Sequence, residues 1–146
     1  MKTSQAFALR IINENIKIPS EVKDKIFHVC KEEKFDQDLI KSIFYIENYF
    51  RPLWFQKIEH LLLRAGLLRD PSIGPFQIKL TNFNRKPIDK EDLVSSSIKY
   101  IINCIKKNNL ENLSDFRRFG LIYNGTQEYG DVMFEIYRRL KCSVRI

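Results

Sequence analysis

A chain of 146 residues is long enough for one domain with a real core and too short for two ordinary ones, so a single domain spanning residues 1–146 is expected. Its 25 lysines and arginines against 18 acidic residues leave a formal charge of +7, which suits a polyanionic partner without choosing among nucleic acid, anionic membrane and anionic cell-wall polymer. Three widely separated cysteines, Cys30, Cys104 and Cys142, have no CxxC spacing and are odd in number, which argues against a thiolate metal site or a disulfide framework; free, mostly buried thiols are expected.

At the N-terminus, Arg10, Asn13 and Glu14 interrupt an apolar run that is too short and too polar for a signal-peptide core. No segment approaches the roughly 18 apolar residues of a membrane span, so a soluble chain is expected. It would reach an extracellular target by another route, or through a leader absent from this sequence. Apolar residues recur at three- and four-residue spacing and clean alternation is rare, which makes the chain mainly α-helical. Ser4 is placed to cap a first helix running to about Asn15. Pro19-Ser20 opens a second, with Val22, Ile26, Phe27, Val29 and Cys30 on its apolar face.

Asp36 is placed to cap a third helix, whose Leu39, Ile40, Ile43, Phe44 and Ile46 face a core and which ends near Tyr49-Phe50. Pro52 fits the first turn of a further helix running to Gly66. From Leu67 to Asp92 the periodicity lapses and Pro71, Gly74, Pro75, Asn82, Asn84 and Pro87 punctuate the chain. A long ordered connection or a small irregular β excursion around residues 67–91 is expected there. Helix resumes from about Glu91 to Lys107, with Leu93, Val94, Ile98, Ile101, Ile102 and Ile105 inward. Ser114 is expected to cap a helix reaching Tyr123, Gly125 to break it, and a last helix to take Glu128 to Lys141 with Val132, Met133, Ile136, Tyr137 and Leu140 inward.

Three strings carry side chains suited to chemistry. Glu47 closes a strongly apolar helix and is followed by Tyr49 and Phe50; an apolar setting disfavours the charged carboxylate, as a general acid requires. The plain alternative is a helix-end glutamate, solvated or paired with Arg51. Ser72-Ile73-Gly74-Pro75-Phe76-Gln77-Ile78 joins a turn to an aromatic and an amide: Gly74 permits close backbone approach, and Gln77 can donate to and accept from sugar hydroxyl and acetamido groups. Alone it is a turn, as Tyr123-Asn124-Gly125 is a helix stop. His28 and His60, far apart on helical patterns, do not read as metal ligands.

Taken in order, the strings resemble the lytic transglycosylases and goose-type lysozymes of the lysozyme-like superfamily, over about residues 36–141. Glu47, Phe50 and Pro52 match that family's Glu-Ser-x-Phe-x-Pro string, Gly74 and Gln77 its Gly-Leu-Met-Gln string, and Tyr123 and Asn124 its Ala-Tyr-Asn string. Asn48 stands in place of serine, Pro75-Phe76 in place of Leu-Met and Ile122 in place of alanine, and the first gap is longer than usual; these departures bear on the shape of the cleft.

The resemblance implies a lysozyme-like helical core after an N-terminal helical pair (residues 1–35), and cleavage of the MurNAc–GlcNAc bond of peptidoglycan at the cell wall. Glu47 would be acid and then base, Tyr123 would hold it, and Ser72, Gly74, Phe76, Gln77, Asn124 and Tyr129 would line the sugar site, with Phe76 and Tyr129 offering ring faces. A hydrolytic version needs a second carboxylate, for which Asp70 is nearest in chain position and Asp89, Glu91 and Glu59 are weaker candidates. No cofactor, metal or membrane span is implied, and no inhibitor or immunity protein is specified. A glycan-binding module without turnover and a basic helical module for nucleic acid are the alternatives from other classes.

Overall fold

The computed structural model describes residues 3–14, 16–50, 72–73, 76, 78–79, 92–110 and 115–143. Six α-helices are found among them: α1 (Thr3–Asn13), α2 (Ser20–Glu33), α3 (Gln37–Phe50), α4 (Leu93–Lys107), α5 (Phe116–Asn124) and α6 (Gln127–Ser143). Between α3 and α4, β1 (Ser72–Ile73) pairs antiparallel with β2 (Ile78–Lys79), Ser72 opposite Lys79 and Ile73 opposite Ile78. The protein is therefore mainly helical, with a small β excursion where the helical periodicity lapses. The helix expected from Pro52 to Gly66 lies outside the described residues, as do Ser114, His60 and Glu91.

Local chemistry explains most of the helix ends. The Asp36 carboxylate accepts the Asp38 N–H at 3.0 Å, and the Asp92 carboxylate accepts the Ser95 N–H at 3.3 Å, so each supplies an acceptor to an otherwise orphaned first-turn donor. Helices α2 and α4 stop in the same way. Lys34 (φ 54°) and Asn109 (φ 55°) turn left-handed, and the next amides, of Phe35 and Leu110, return to the carbonyls of Cys30 and Ile105, both at 2.9 Å. One expected cap differs: α1 already begins at Thr3, leaving Ser4 inside the helix. Helix α5 begins after Asp115, which makes no side-chain capping bond.

Helix α6 packs against α1, α3 and α5, while α2 packs against α4 and α3. Ala8 and Ile11 of α1, and Val22 and Ile26 of α2, belong to the same buried cluster as Ile43, Phe44, Ile101, Phe119 and Ile136, so the helices before residue 36 are part of the core. Phe27, expected inward, is 45% exposed. It stands one residue, about 100° of rotation, beyond the buried Ile26. Its ring instead meets the His28 ring edge-on at 5.4 Å, with the Lys31 ammonium 5.7 Å from its centroid.

The N-terminus of α3 is tied to the C-terminal part of α6 by a polar cluster. The Tyr137 hydroxyl donates to Asp36 Oδ2 at 2.6 Å, and the Lys141 ammonium lies 3.1 Å from Asp36 Oδ1 and 3.0 Å from Asp38 Oδ2. The cysteines are free, with Cys30 buried, Cys104 half-buried and Cys142 exposed, so burial does not extend to all three. Among the described residues no helix is long and apolar enough to cross a membrane.

Candidate active site

Glu47 lies in the last turn of α3, whose preceding residues Ile43, Phe44 and Ile46 are buried in the core. The next residue, Asn48, is buried and donates its side-chain amide back to the Phe44 carbonyl at 2.8 Å. Glu47 itself is half-buried and accepts a hydrogen bond at Oε1 from the Tyr129 hydroxyl, 2.9 Å away and 82 residues along the chain.

The corner between α5 and α6 delivers that hydroxyl. Gly125 ends α5 with φ 86°, a left-handed turn that favours glycine. Thr126 then opens α6: its hydroxyl accepts the Tyr129 N–H at 3.4 Å and the Asn124 side-chain amide at 3.2 Å. Two glycines close the angle. A Cβ on Gly130 would overlap the Phe116 carbonyl, and one on Gly120 would overlap the Gly130 amide, so the backbones of α5 and α6 touch where no side chain fits. This contact places the Tyr123 and Tyr129 rings 5.7 Å apart, with Tyr123 also stacked on Phe119 at 5.2 Å and 15°.

Tyr123 does not hold Glu47 as expected. Its hydroxyl donates to the Phe76 carbonyl at 2.7 Å and so anchors the turn between β1 and β2 to α5. Tyr129, expected to present a face to sugar, is instead 8% exposed and holds the carboxylate. Phe76 is also corrected. It is fully buried, its ring edge-on to Phe44 at 5.9 Å, and a face so enclosed has no room for a sugar. Asn124 is exposed and supports the Thr126 cap. Gly74, Gln77, Asp70, Asp89, Glu91 and Glu59 lie outside the described residues, and Ser72 is described only in its strand pairing with Lys79. Comparisons with protein families, curated proteins and solved structures return no match to this chain.

The electrostatics of this corner follow from its burial. Desolvation pushes the phenols of Tyr123 and Tyr129 well above their ordinary value of 10, and the neighbouring Glu47 charge pushes both further. Both therefore stay protonated near neutrality, and Tyr129 remains a donor to the carboxylate. On another side of Tyr129 a cavity of about 270 Å³ is walled by Phe7, Ile46 and Val132, with Asn124 and Thr126 at its edge; Glu47 is not among its lining residues. No group of His, Cys, Asp or Glu among the described residues has the arrangement of a metal site.

What the arrangement can do is limited and specific. It offers one oriented carboxyl group at the end of an apolar helix, gripped on one oxygen by a hydroxyl that stays protonated. Sequence reasoning did not single out Thr126, Gly120 or Gly130. The Thr-Gln-Glu-Tyr run after Gly125 carries a helix-start signal for Thr126, and two glycines ten residues apart on adjoining helices are the only trace of the close crossing.

Proposed function

We propose that the protein cleaves the glycan of peptidoglycan as a lytic transglycosylase, with Glu47 as its acid and base. The observation that carries this reading is the 2.9 Å bond from Tyr129 to Glu47 Oε1, which orients the carboxyl that the three sequence strings single out. In the proposed reaction Glu47, protonated, gives its proton to the glycosidic oxygen as the bond to C1 of N-acetylmuramic acid breaks. The carboxylate then takes the proton of the C6 hydroxyl, whose oxygen closes on C1. The products are a 1,6-anhydro end and a free 4-hydroxyl on N-acetylglucosamine, and no water is consumed. The lysozyme-like fold and the cell-wall location belong to the same proposal, supported by the helical architecture and the order of the strings.

Glu47→Gln tests it, because the amide keeps the shape of the side chain and removes the transferable proton. Digestion of purified peptidoglycan, read by mass spectrometry, is expected to release anhydro-ended fragments with the native protein and to lose at least about a hundredfold in rate with the variant, within the range general acids contribute. Reducing ends in place of anhydro ends would assign the hydrolytic chemistry instead. Absence of soluble fragments, or a variant with native activity, would refute the proposal.

A further inference from the structure

A second cavity, of about 380 Å³, lies where the segment between α1 and α2 crosses α3. Its wall includes Tyr45, two residues before Glu47 and thus about 200° around the helix from it, so the cavity and the Glu47 carboxyl face away from each other across α3. Ile16, Ile18, Tyr45 and Leu140 make the apolar part of the lining, and all four pack against the core. Lys17, Lys23 and Lys41 complete the lining; Lys17 and Lys23 are exposed and Lys41 is half-buried. None of the three makes an ion pair or side-chain hydrogen bond with another described residue, whereas Lys25, Lys106 and Lys141 each have a carboxylate within 4 Å. The one acid in the lining, Asp38, is engaged by Lys141 at 3.0 Å.

Three lysines on one partly apolar lining, none paired with a carboxylate among the described residues, make a locally positive surface that attracts an anion. Lysine, a compact point charge on a flexible stem, accepts carboxylate or phosphate without demanding a planar, bidentate partner. The volume lies at the small end of the roughly 300–1,000 Å³ of small-molecule sites. We propose that this cavity binds a small amphipathic anion, its carboxylate or phosphate head among Lys17, Lys23 and Lys41 and its short apolar body against Ile16, Ile18, Tyr45 and Leu140. The site is independent of glycan cleavage and stands or falls separately from it.

Titration of the isotopically labelled full chain with octanoate, octyl phosphate, 1-octanol and acetate, followed by NMR, tests it. Octanoate or octyl phosphate is expected to move the methyl signals of Ile16, Ile18 and Leu140 and the ring signals of Tyr45. Preference between the two probes assigns the head group as carboxylate or phosphate. The alcohol, without charge, and acetate, without a body, are expected to bind at least tenfold more weakly. Lys23→Gln and Lys41→Gln, which break no ion pair and should fold normally by circular dichroism, are each expected to weaken octanoate or octyl phosphate binding about two- to fivefold, as an exposed ion pair does. Failure of both anions to shift these signals, equal binding of the alcohol, or affinity unchanged in both variants would overturn the proposal.

Discussion

Two tyrosines beside one carboxylate differ in what their hydroxyls hold, and removing each oxygen should separate turnover from stability. Tyr129→Phe deletes the donor to Glu47 while leaving the ring in place. The bond strengthens as Glu47 gives up its proton and becomes charged, and a hydrogen bond to a charged group is worth about 1.5–3 kcal/mol. In the peptidoglycan digestion kcat is therefore expected to fall about ten- to a hundredfold, with KM little changed. Tyr123→Phe instead deletes the donor to the Phe76 carbonyl. Its cost is expected in folding, about 1–3 kcal/mol by chemical denaturation, if the carbonyl is left without a replacement donor. If Tyr123→Phe is the variant that loses turnover at unchanged stability, the structural assignment of the two hydroxyls is wrong.

At the level of elements, the site depends on how α5 meets α6. Gly130→Ala drives a Cβ into the Phe116 backbone, which cannot swing aside as a side chain would, and is expected to cost about 1–3 kcal/mol or more and to reduce turnover by displacing Tyr129 from Glu47. Gly125→Ala meets open space and only the strain of φ 86°, so its cost is expected to be nearer 1 kcal/mol. Urea midpoints of the two variants give the comparison; a Gly125→Ala more damaging than Gly130→Ala would refute the close-crossing account. The same corner explains what was legible in the sequence. Helix limits at Ser20, Phe50, Lys107 and Gly125 come from local periodicity, caps and breakers, which a single strand of text carries. Which tyrosine reaches Glu47 is set by a backbone contact between Gly120 and Gly130, and spacing alone does not record a crossing angle. Phe27 shows the same limit, since one step of rotation separates an inward position from an outward one. The meeting of Lys17, Lys23 and Lys41 at the second cavity joins three separate stretches of the chain, which no local pattern records.

At the scale of the whole molecule, one pH-sensitive link is the cluster that fastens α3 to α6. Burial alone would raise Asp36, but hydrogen bonds from Tyr137, Lys141 and the Asp38 amide overcome it and hold its carboxyl below the ordinary 3.8. A carboxylate that binds its proton less readily folded than unfolded gives its full stabilisation above 3.8 and loses it as the pH falls through the lowered value. On the alkaline side, burial and the bond to Asp36 push Tyr137 up to about 12. Lys141 also rises to about 12, because Asp38 and Asp36 outweigh its desolvation. Raised groups act in the opposite sense: their contributions are complete below the ordinary 10.0 and 10.5 and vanish as the pH climbs through the folded values. Urea midpoints are therefore expected to be level between about pH 4 and 10 with respect to this cluster and to fall on both sides. The acid limb should be steeper, because protonation of the 18 carboxylates drives an already positive molecule further from neutrality. Asp36→Asn removes the acceptor common to both limbs, so it should lower the plateau and flatten the acid and alkaline falls together. A variant that alters only one limb would show that Asp36 does not join the two.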